Sequence, residues 1–340
     1  MDEALFAKYS PATIIGVTGT RGKSTTTTLI YEILKNCLPN KKIFVAGGLQ
    51  GKATLPLIDE AGKDDIVVLE LSSWQLQGFH QNKISPHIAV FTNIYEDHLN
   101  SYSSMKDYIQ DKKNIFLFQK KNDYCIINKD NIYTKELENE IKSKIIWFSA
   151  KKTPKKWHLK MKGAHNLENV SAAIEVGKIF GLSLEQMEKT IVNFPGLEHR
   201  LEFVKQINGV EFVNDTTSTT PIAGQMALKS IKSPIVLIAG GASKKLDLSG
   251  FAKDVAKKVK AVVLLNGSAT QELKTGIIKN DGANLIAGEF DNFEKAIKHA
   301  YSLSLPGDCI LLSPGCASFC MFVNEFDRGD KFKKIVNQLP

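Results

Sequence analysis

The sequence predicts an α/β protein with mainly parallel strands, divided into two domains. Short β-branched runs alternate with longer helical patterns along the whole chain, the signature of strand–helix–strand units. Its 340 residues exceed one ordinary core and suit two domains of roughly 150 residues. At 43% hydrophobic and 24% charged, the composition is that of a globular protein. It excludes a disordered chain, a collagen-like fibre and a disulfide-stapled miniprotein.

In the first half, β-branched stretches place strands at 13–18, 43–46, 66–71, 87–92 and 124–128. Helical periodicity places helices at 23–35, 105–118 and 165–180. The second half reads strands at 210–214, 235–239, 261–265, 284–287 and 309–312. They alternate with helices at 221–230, 249–258, 270–279, 293–303 and 321–336. Proline and glycine in Phe194-Pro-Gly-Leu-Glu-His-Arg200 break a helical stretch before a new strand, so the expected domains are 1–196 and 197–340. No internal repeat or low-complexity segment is visible.

No apolar run approaches the ~20 residues that span a bilayer, and acidic residues stand where a signal peptide needs basic ones. A cytoplasmic protein without a membrane partner is expected. Five cysteines in no framework spacing fit a reducing compartment. Cys316 and Cys320 lack the further ligands of a zinc site, so packing is expected for both. The net charge of +8 suits a polyanionic partner, but the lysines are spread without an interleaved aromatic stripe. Nucleic acid is therefore excluded, and a nucleotide or another small anion remains.

The most informative stretch is Ile14-Ile-Gly-Val-Thr-Gly-Thr-Arg-Gly-Lys-Ser-Thr-Thr-Thr27. A strand runs into a glycine-rich turn, and Lys23-Ser24 opens a helix. Glycines let backbone N–H groups close on phosphate oxygens, and the helix N-terminus adds partial positive charge. Lys23 is expected to reach the β- and γ-phosphates and Ser24 to ligate Mg²⁺. The glycines at 16, 19 and 22 depart from the strict G-x-x-x-x-G-K-[ST] spacing, and no G-x-G-x-x-G occurs, which disfavours hydride transfer.

An apolar strand then delivers Glu70 near its C-terminal end, the edge at which parallel sheets bind ligands. A buried carboxylate there needs a cation or donors, and Mg²⁺ shared with the phosphate loop would serve. The alternative is a strand-exit glutamate facing water. The next strand ends in Phe91-Thr-Asn-Ile-Tyr-Glu-Asp-His98, which puts Asn93, Asp97 and His98 on the same rim, and Lys112 follows.

This order of motifs resembles the Mur ligases, ATP-dependent amide-forming enzymes of peptidoglycan precursor synthesis. The resemblance rests on Thr18-Gly-Thr-Arg-Gly-Lys-Ser-Thr25, Glu70-Leu-Ser-Ser73, Asn93 with Asp97-His98, Lys112, Gly163-Ala-His-Asn-Leu-Glu-Asn169 and His199-Arg200. Leu71-Ser-Ser-Trp-Gln-Leu76, Asn214-Asp-Thr-Thr-Ser-Thr-Thr-Pro221, Leu312-Ser-Pro-Gly-Cys-Ala-Ser-Phe319 and Phe326-Asp-Arg-Gly-Asp330 point to the D-glutamate-adding branch.

The resemblance implies two doubly wound domains, a central P-loop ATPase-like one and a C-terminal Rossmann-like one. It implies that Gly19, Thr20, Arg21, Gly22, Lys23, Ser24 and Thr25 bind the ATP phosphates, and that Asn166 and Asn169 bind the adenine. Arg200 and Asp215 would close over phosphates and ribose. Ser24 and Glu70 would hold one Mg²⁺, and His98 with Lys112 a second, Lys112 being carbamylated. Lys23, Glu70, His98, Lys112 and Arg200 form the implied catalytic set. Ser72, Ser73, Thr219, Lys244, Ser318 and Phe319 would hold substrates, with backbone N–H groups of Ser318-Phe319 lying where a loop meets the final helix.

The substrates implied are D-glutamate and a nucleotide-linked muramoyl acceptor, taken by a monomer active in cell wall biogenesis, cell shape and division. Leu49, Thr217 and Ala242 depart from the family at amino-acid-facing positions. The family's uridine-diphosphate-binding domain precedes the phosphate loop, whereas here Lys23 lies near the start of the chain. A fragment of a longer ligase is expected, a shortened enzyme being the alternative. Other readings are another Mur-type or folylpolyglutamate synthetase-like ligase, or a nucleotide-binding module without ligase activity.

Overall fold

A computed structural model describes residues 1–49, 53–96, 102–161 and 165–340. The chain forms two compact units, Met1–Lys160 with Ala164–Phe194, and Met161–Gly163 with Pro195–Pro340.

The first unit runs α1 (Asp2–Tyr9), β1 (Thr13–Thr18), α2 (Lys23–Cys37), β2 (Ile43–Gly47), α3 (Leu57–Glu60), β3 (Ile66–Glu70) and α4 (Ser73–Asn82). It continues through β4 (Ile88–Phe91), α5 (Met105–Lys113), β5 (Tyr124–Asn128), α6 (Ile132–Glu136), β6 (Lys144–Phe148), α7 (His165–Ile179) and α8 (Leu184–Asn193). Its six strands are all parallel, in the order β2-β3-β1-β4-β5-β6. Helices cover both faces, so β3 and β4 are buried at every position and read as continuous apolar runs. β1 lies between β3 and β4, where the winding direction reverses. Such a switch point opens a crevice at the C-terminal strand ends, and the glycine-rich loop leaves β1 there.

The second unit runs β7 (Glu202–Ile207), β8 (Val210–Asn214), α9 (Pro221–Ser230), β9 (Ile235–Ala239), α10 (Ser249–Lys258) and β10 (Val259–Leu265). Then follow α11 (Thr270–Lys279), β11 (Ile286–Phe290), α12 (Phe293–Ser302), β12 (Cys309–Leu312) and α13 (Glu325–Gln338). The sheet order is β11-β10-β9-β12-β8-β7, parallel except for β7 against β8. Alternate strand residues build two cores, Val213, Leu237 and Leu311 on one face and Phe212, Val236 and Ile310 on the other.

Several expected elements are corrected. The helix expected over 105–118 ends at Lys113, because the chain then turns to sink Ile115 and Phe116 into the core. The strand expected at 284–287 is Ile286–Phe290, since residues Ala283–Leu285 form a 3₁₀ turn. The final helix begins at Glu325 rather than 321. The N–H groups of Met321 and Phe322 turn back to the Ser318 carbonyl, and Asn324 caps the helix at Asp327.

The alternation rule missed β6, β7, α1, α3, α4, α6 and α8. Asn208-Gly209 joins β7 to β8 with positive φ at both residues (48° and 79°), the backbone a two-residue hairpin favours. Cys316 is buried, but Cys320 is exposed, so packing accounts for only one of the pair. Among the described residues, no helix is long and apolar enough to cross a membrane.

Candidate active site

In the first unit the phosphate loop is shaped by its glycines and pinned by its neighbours. Gly19 and Gly22 have φ of 148° and 80°, conformations that L side chains rarely adopt. A Cβ on Gly19 would lie 1.9 Å from Thr92 Oγ1, and one on Gly22 2.3 Å from Asn169 Oδ1. The Thr20 N–H donates to the Asn93 carbonyl (2.9 Å), and the Arg21 N–H to Asn93 Oδ1 (2.8 Å). Thr92 Oγ1 donates to the Arg21 carbonyl at 2.7 Å. These bonds fix the loop, while α2 starts at Lys23 without a side-chain cap. The first N–H groups of such a helix need a partner, and an anion suits them. Ser24 and the buried Thr25 stand in that first turn. Lys23 Nζ folds over the loop and donates to the carbonyls of Gly19 (3.1 Å) and Thr20 (3.3 Å).

Asn166 and Asn169 lie in the first turn and a half of α7, both buried. Asn169 Nδ2 donates to Asn166 Oδ1 at 2.9 Å, and its Oδ1 accepts from Thr26 Oγ1 at 3.2 Å. The pair is therefore part of the wall behind the phosphate loop.

Glu70 ends β3 with 7% exposure, and among the described residues its Oε2 has no hydrogen-bond partner. An orphaned buried carboxylate oxygen is costly, and a cation would remove the cost. A Mg²⁺ at Glu70 thus fits the donor chemistry. His98 and Asp97 lie outside the described residues. Among the described residues, no cluster of three or more His, Cys, Asp or Glu is placed to hold a metal.

Lys112 and Lys113 part company. Lys112 is 1% exposed, its Nζ donates to the Gly19 carbonyl at 2.9 Å, and it lies 4.7 Å from the Tyr108 ring centroid. Lys113 instead pairs with Glu140. Ser72 caps α4, accepting from the Gln75 N–H, and Ser73 beside it is buried.

In the second unit, the loops after β8, β9 and β12 converge at one sheet edge. Asp215 leaves β8 buried. Its Oδ2 accepts from the hydroxyls of Ser218 and Ser313, and its Oδ1 from the Leu201 N–H (3.1 Å). Burial pushes its pKa up to about 6, against the pull of those hydrogen bonds and of Arg200. Lys244 Nζ donates to Thr219 Oγ1 at 2.8 Å, and both line a small cleft with Ala242, Ser243, Gly315 and Cys316. Ala242 pairs with Ala317 through both backbone N–H groups (2.8 and 3.0 Å), which aligns the Lys244 loop with the Ser318 loop. Thr217 is engaged locally, its hydroxyl donating to the His199 carbonyl at 2.9 Å.

Ser318 is buried with an unpartnered Oγ among the described residues, whereas the Phe319 side chain is 68% exposed. Both lie in the loop ahead of α13, not at its start as expected. Residues 320–324 separate them from Glu325, because Asn324 provides the cap.

Sequence reasoning gave no role to Arg328, Tyr108 or Tyr95. Arg328 is wholly buried in α13. It donates through Nε to Thr216 Oγ1 (2.9 Å) and through Nη2 to the Thr216 carbonyl (2.8 Å). Burial pulls its pKa down to about 10. Tyr108 and Tyr95 both bond Thr20 of the phosphate loop. Arginine inside an otherwise amphipathic final helix was a usable signal, since an arginine is almost never buried without a specific reason. Nothing in the sequence marks the tyrosines.

A glycine-shaped phosphate loop at the switch point of a parallel sheet, with a buried carboxylate beside it, defines a nucleotide-dependent α/β enzyme. The Mur ligase middle domain is recognised over residues 17–160, and the Mur ligase glutamate ligase domain over residues 199–316. The chain belongs to the Mur ligase family. It is 38% identical to the UDP-N-acetylmuramoylalanine–D-glutamate ligase of Roseiflexus sp. (strain RS-1), over 99% of this chain and 78% of that protein. The protein of the same name from Clostridium tetani (strain Massachusetts / E88) is also 38% identical, over 98% of this chain and 76% of its own length. The fold resembles the MurF ligase of Thermotoga maritima, solved in complex with ADP, with a TM-score of 0.71 and 18% identity over 98% of this chain and 82% of that one.

Proposed function

We infer that this chain is an ADP-forming ligase that joins D-glutamate to UDP-N-acetylmuramoyl-L-alanine in peptidoglycan precursor synthesis. The observation that carries the reading is the 38% identity over 99% of the chain to a relative named for that activity. The acceptor carboxylate attacks the ATP γ-phosphorus, the bond to the β-phosphate oxygen breaks, and an acyl phosphate and ADP result. The amine of D-glutamate then attacks the acyl carbon. The tetrahedral intermediate expels phosphate, the amine proton is lost and the amide remains.

The α2 N-terminus with Gly19, Thr20, Arg21, Gly22, Ser24 and Thr25 cradles the phosphates, and Lys23 swings from the loop carbonyls to the transferring group. Glu70 and Ser24 would hold one Mg²⁺, and His98 with a carbamylated Lys112 the other. Bound there, the metal supplies charge neutralisation. Asn166 and Asn169 serve the adenine, and Arg200 and Asp215 the phosphates and ribose. Ser72 and Ser73 face the acceptor. Lys244, Thr219, Ser318 and the Ser318-Phe319 backbone take the two carboxylates of D-glutamate, for which paired donors are required.

The test is phosphate release measured with each component omitted in turn. Release should require ATP, UDP-N-acetylmuramoyl-L-alanine and D-glutamate together, and L-glutamate should not substitute. ATP turnover indifferent to the amino acid would leave only a nucleotide-binding module. Turnover with a different amino acid would move the chain to another branch.

A further inference from the structure

The first helix reaches the acceptor motif through one side chain. α1 packs Ala4 and Phe6 into the core and approaches α4 so closely that a Cβ on Gly78 would lie 3.0 Å from the Ala4 Cβ. At this contact Gln75 Nε2 donates to Glu3 Oε1 at 2.7 Å. The other end of the same amide is also engaged, since Gln75 Oε1 accepts from the Ser72 N–H at 2.8 Å. The Gln75 N–H in turn donates to Ser72 Oγ at 3.2 Å, closing the capping box of α4.

A glutamine amide has two orientations, and only one turns its oxygen toward Ser72. A carboxylate oxygen at Glu3 accepts and cannot donate, so it pairs only with the NH₂ end. Glu3 thereby selects the orientation in which Gln75 Oε1 faces the Ser72 N–H. Without that partner, the flipped amide would set NH₂ against N–H and open the box. Only Leu71 separates Ser72 and Ser73 from Glu70 at the end of β3, so the cap sets where their hydroxyls stand at the rim.

We propose that Glu3 is a positioning residue for the acceptor-facing motif, acting through the Gln75 amide on the backbone of Ser72. The kinetic consequence rests on the acceptor reading above, whereas the structural consequence does not.

The experiment uses the 340-residue chain with Glu3→Ala and Glu3→Gln. Hydrogen exchange should accelerate severalfold in the peptide covering residues 71–76 of Glu3→Ala and stay unchanged around the phosphate loop. Glu3→Gln, whose amide carbonyl can still accept, should restore protection. In turnover, Glu3→Ala should raise the apparent KM for UDP-N-acetylmuramoyl-L-alanine about fivefold, the effect of one hydrogen bond. The KM for ATP and kcat should hardly move. Unchanged exchange in the 71–76 peptide overturns the inference whatever the wild type catalyses. A global loss of protection, or equal shifts in both KM values, would make Glu3 a plain stability contact and also overturn it. If wild type lacks acceptor-dependent turnover while the exchange contrast holds, the acceptor reading fails and the orienting role of Glu3 stands.

Discussion

Around the phosphate loop the polar groups are mostly backbone amides and carbonyls held in glycine-shaped turns, whereas in the second unit they are side chains gathered from three loops. The first site is pinned from outside, by Asn93, Thr92 and Asn169, and its α2 N-terminus is uncapped by any side chain. The second site is closed on itself, with Lys244 on Thr219 and Asp215 under Ser218 and Ser313. A ligand at the first meets backbone N–H donors already aimed, and Lys23 alone must leave its loop carbonyls for it. A ligand at the second must exchange existing partners, so specificity there depends on what replaces them.

The contrast breaks most visibly at Lys23. If it neutralises the transferring phosphoryl group, Lys23→Ala should lower kcat/KM on the order of 10³-fold, while thermal unfolding stays within a degree or two. Unaltered ATP turnover in this variant would remove the phosphate-loop assignment. Lys112 sharpens the comparison, because it approaches the loop from α5 and is buried. Lys112→Ala should cost on the order of 10²-fold in turnover, with partial recovery on adding short carboxylates if a carbamate is what is lost. Lys113→Ala removes only the pairing with the half-exposed Glu140 and should be nearly silent.

The same contrast explains what was legible in the sequence. A phosphate loop is local: strand, glycines, Lys23 and Ser24 are contiguous, so composition and spacing announce it. Capping boxes at Ser72–Gln75 and Ser183–Gln186, and the Asn208-Gly209 hairpin, were equally local signals for α4, α8 and β7. A strand–helix alternation rule passed over them. The arrangement of Thr219, Lys244 and Ser318 was not legible from residues alone. They come together only because β12 inserts between β8 and β9 and the Ala242–Ala317 bridge aligns two loops. Resemblance supplied those positions. The late start of α13, at Glu325 rather than 321, shows where the helical pattern outran local geometry.

Asp215 offers a test that needs no substrate. Its folded pKa of about 6 lies above the ordinary 3.8, so the folded state binds the extra proton between those values. Stability contributed by this group is therefore greatest below about pH 4 and falls as pH rises to about 6, by at most about 3 kcal/mol. Asp215→Asn should flatten that part of the stability profile, although it also alters the bonds to Ser218 and Ser313. An unchanged slope between pH 4 and 6 would place the titration elsewhere.

The narrowest effect is expected at Lys244, because it addresses the amino acid alone. Its Nζ is tied to Thr219 Oγ1 at 2.8 Å, and both line the cleft beside Cys316. A carboxylate of D-glutamate would replace the hydroxyl as the stronger partner, a charge-assisted exchange of about 1.5–3 kcal/mol. Lys244→Ala should thus raise the KM for D-glutamate by roughly one to two orders of magnitude and leave the KM for ATP nearly constant. Thr219→Val should raise it less, since the hydroxyl positions Lys244 without carrying charge. Lys245→Ala serves as the control, because its neighbouring charge adds to the field but not to this pair. If Lys245→Ala does the damage, or if both KM values shift together in Lys244→Ala, the amino-acid subsite lies elsewhere in the second unit. The self-closed pair would then be structural.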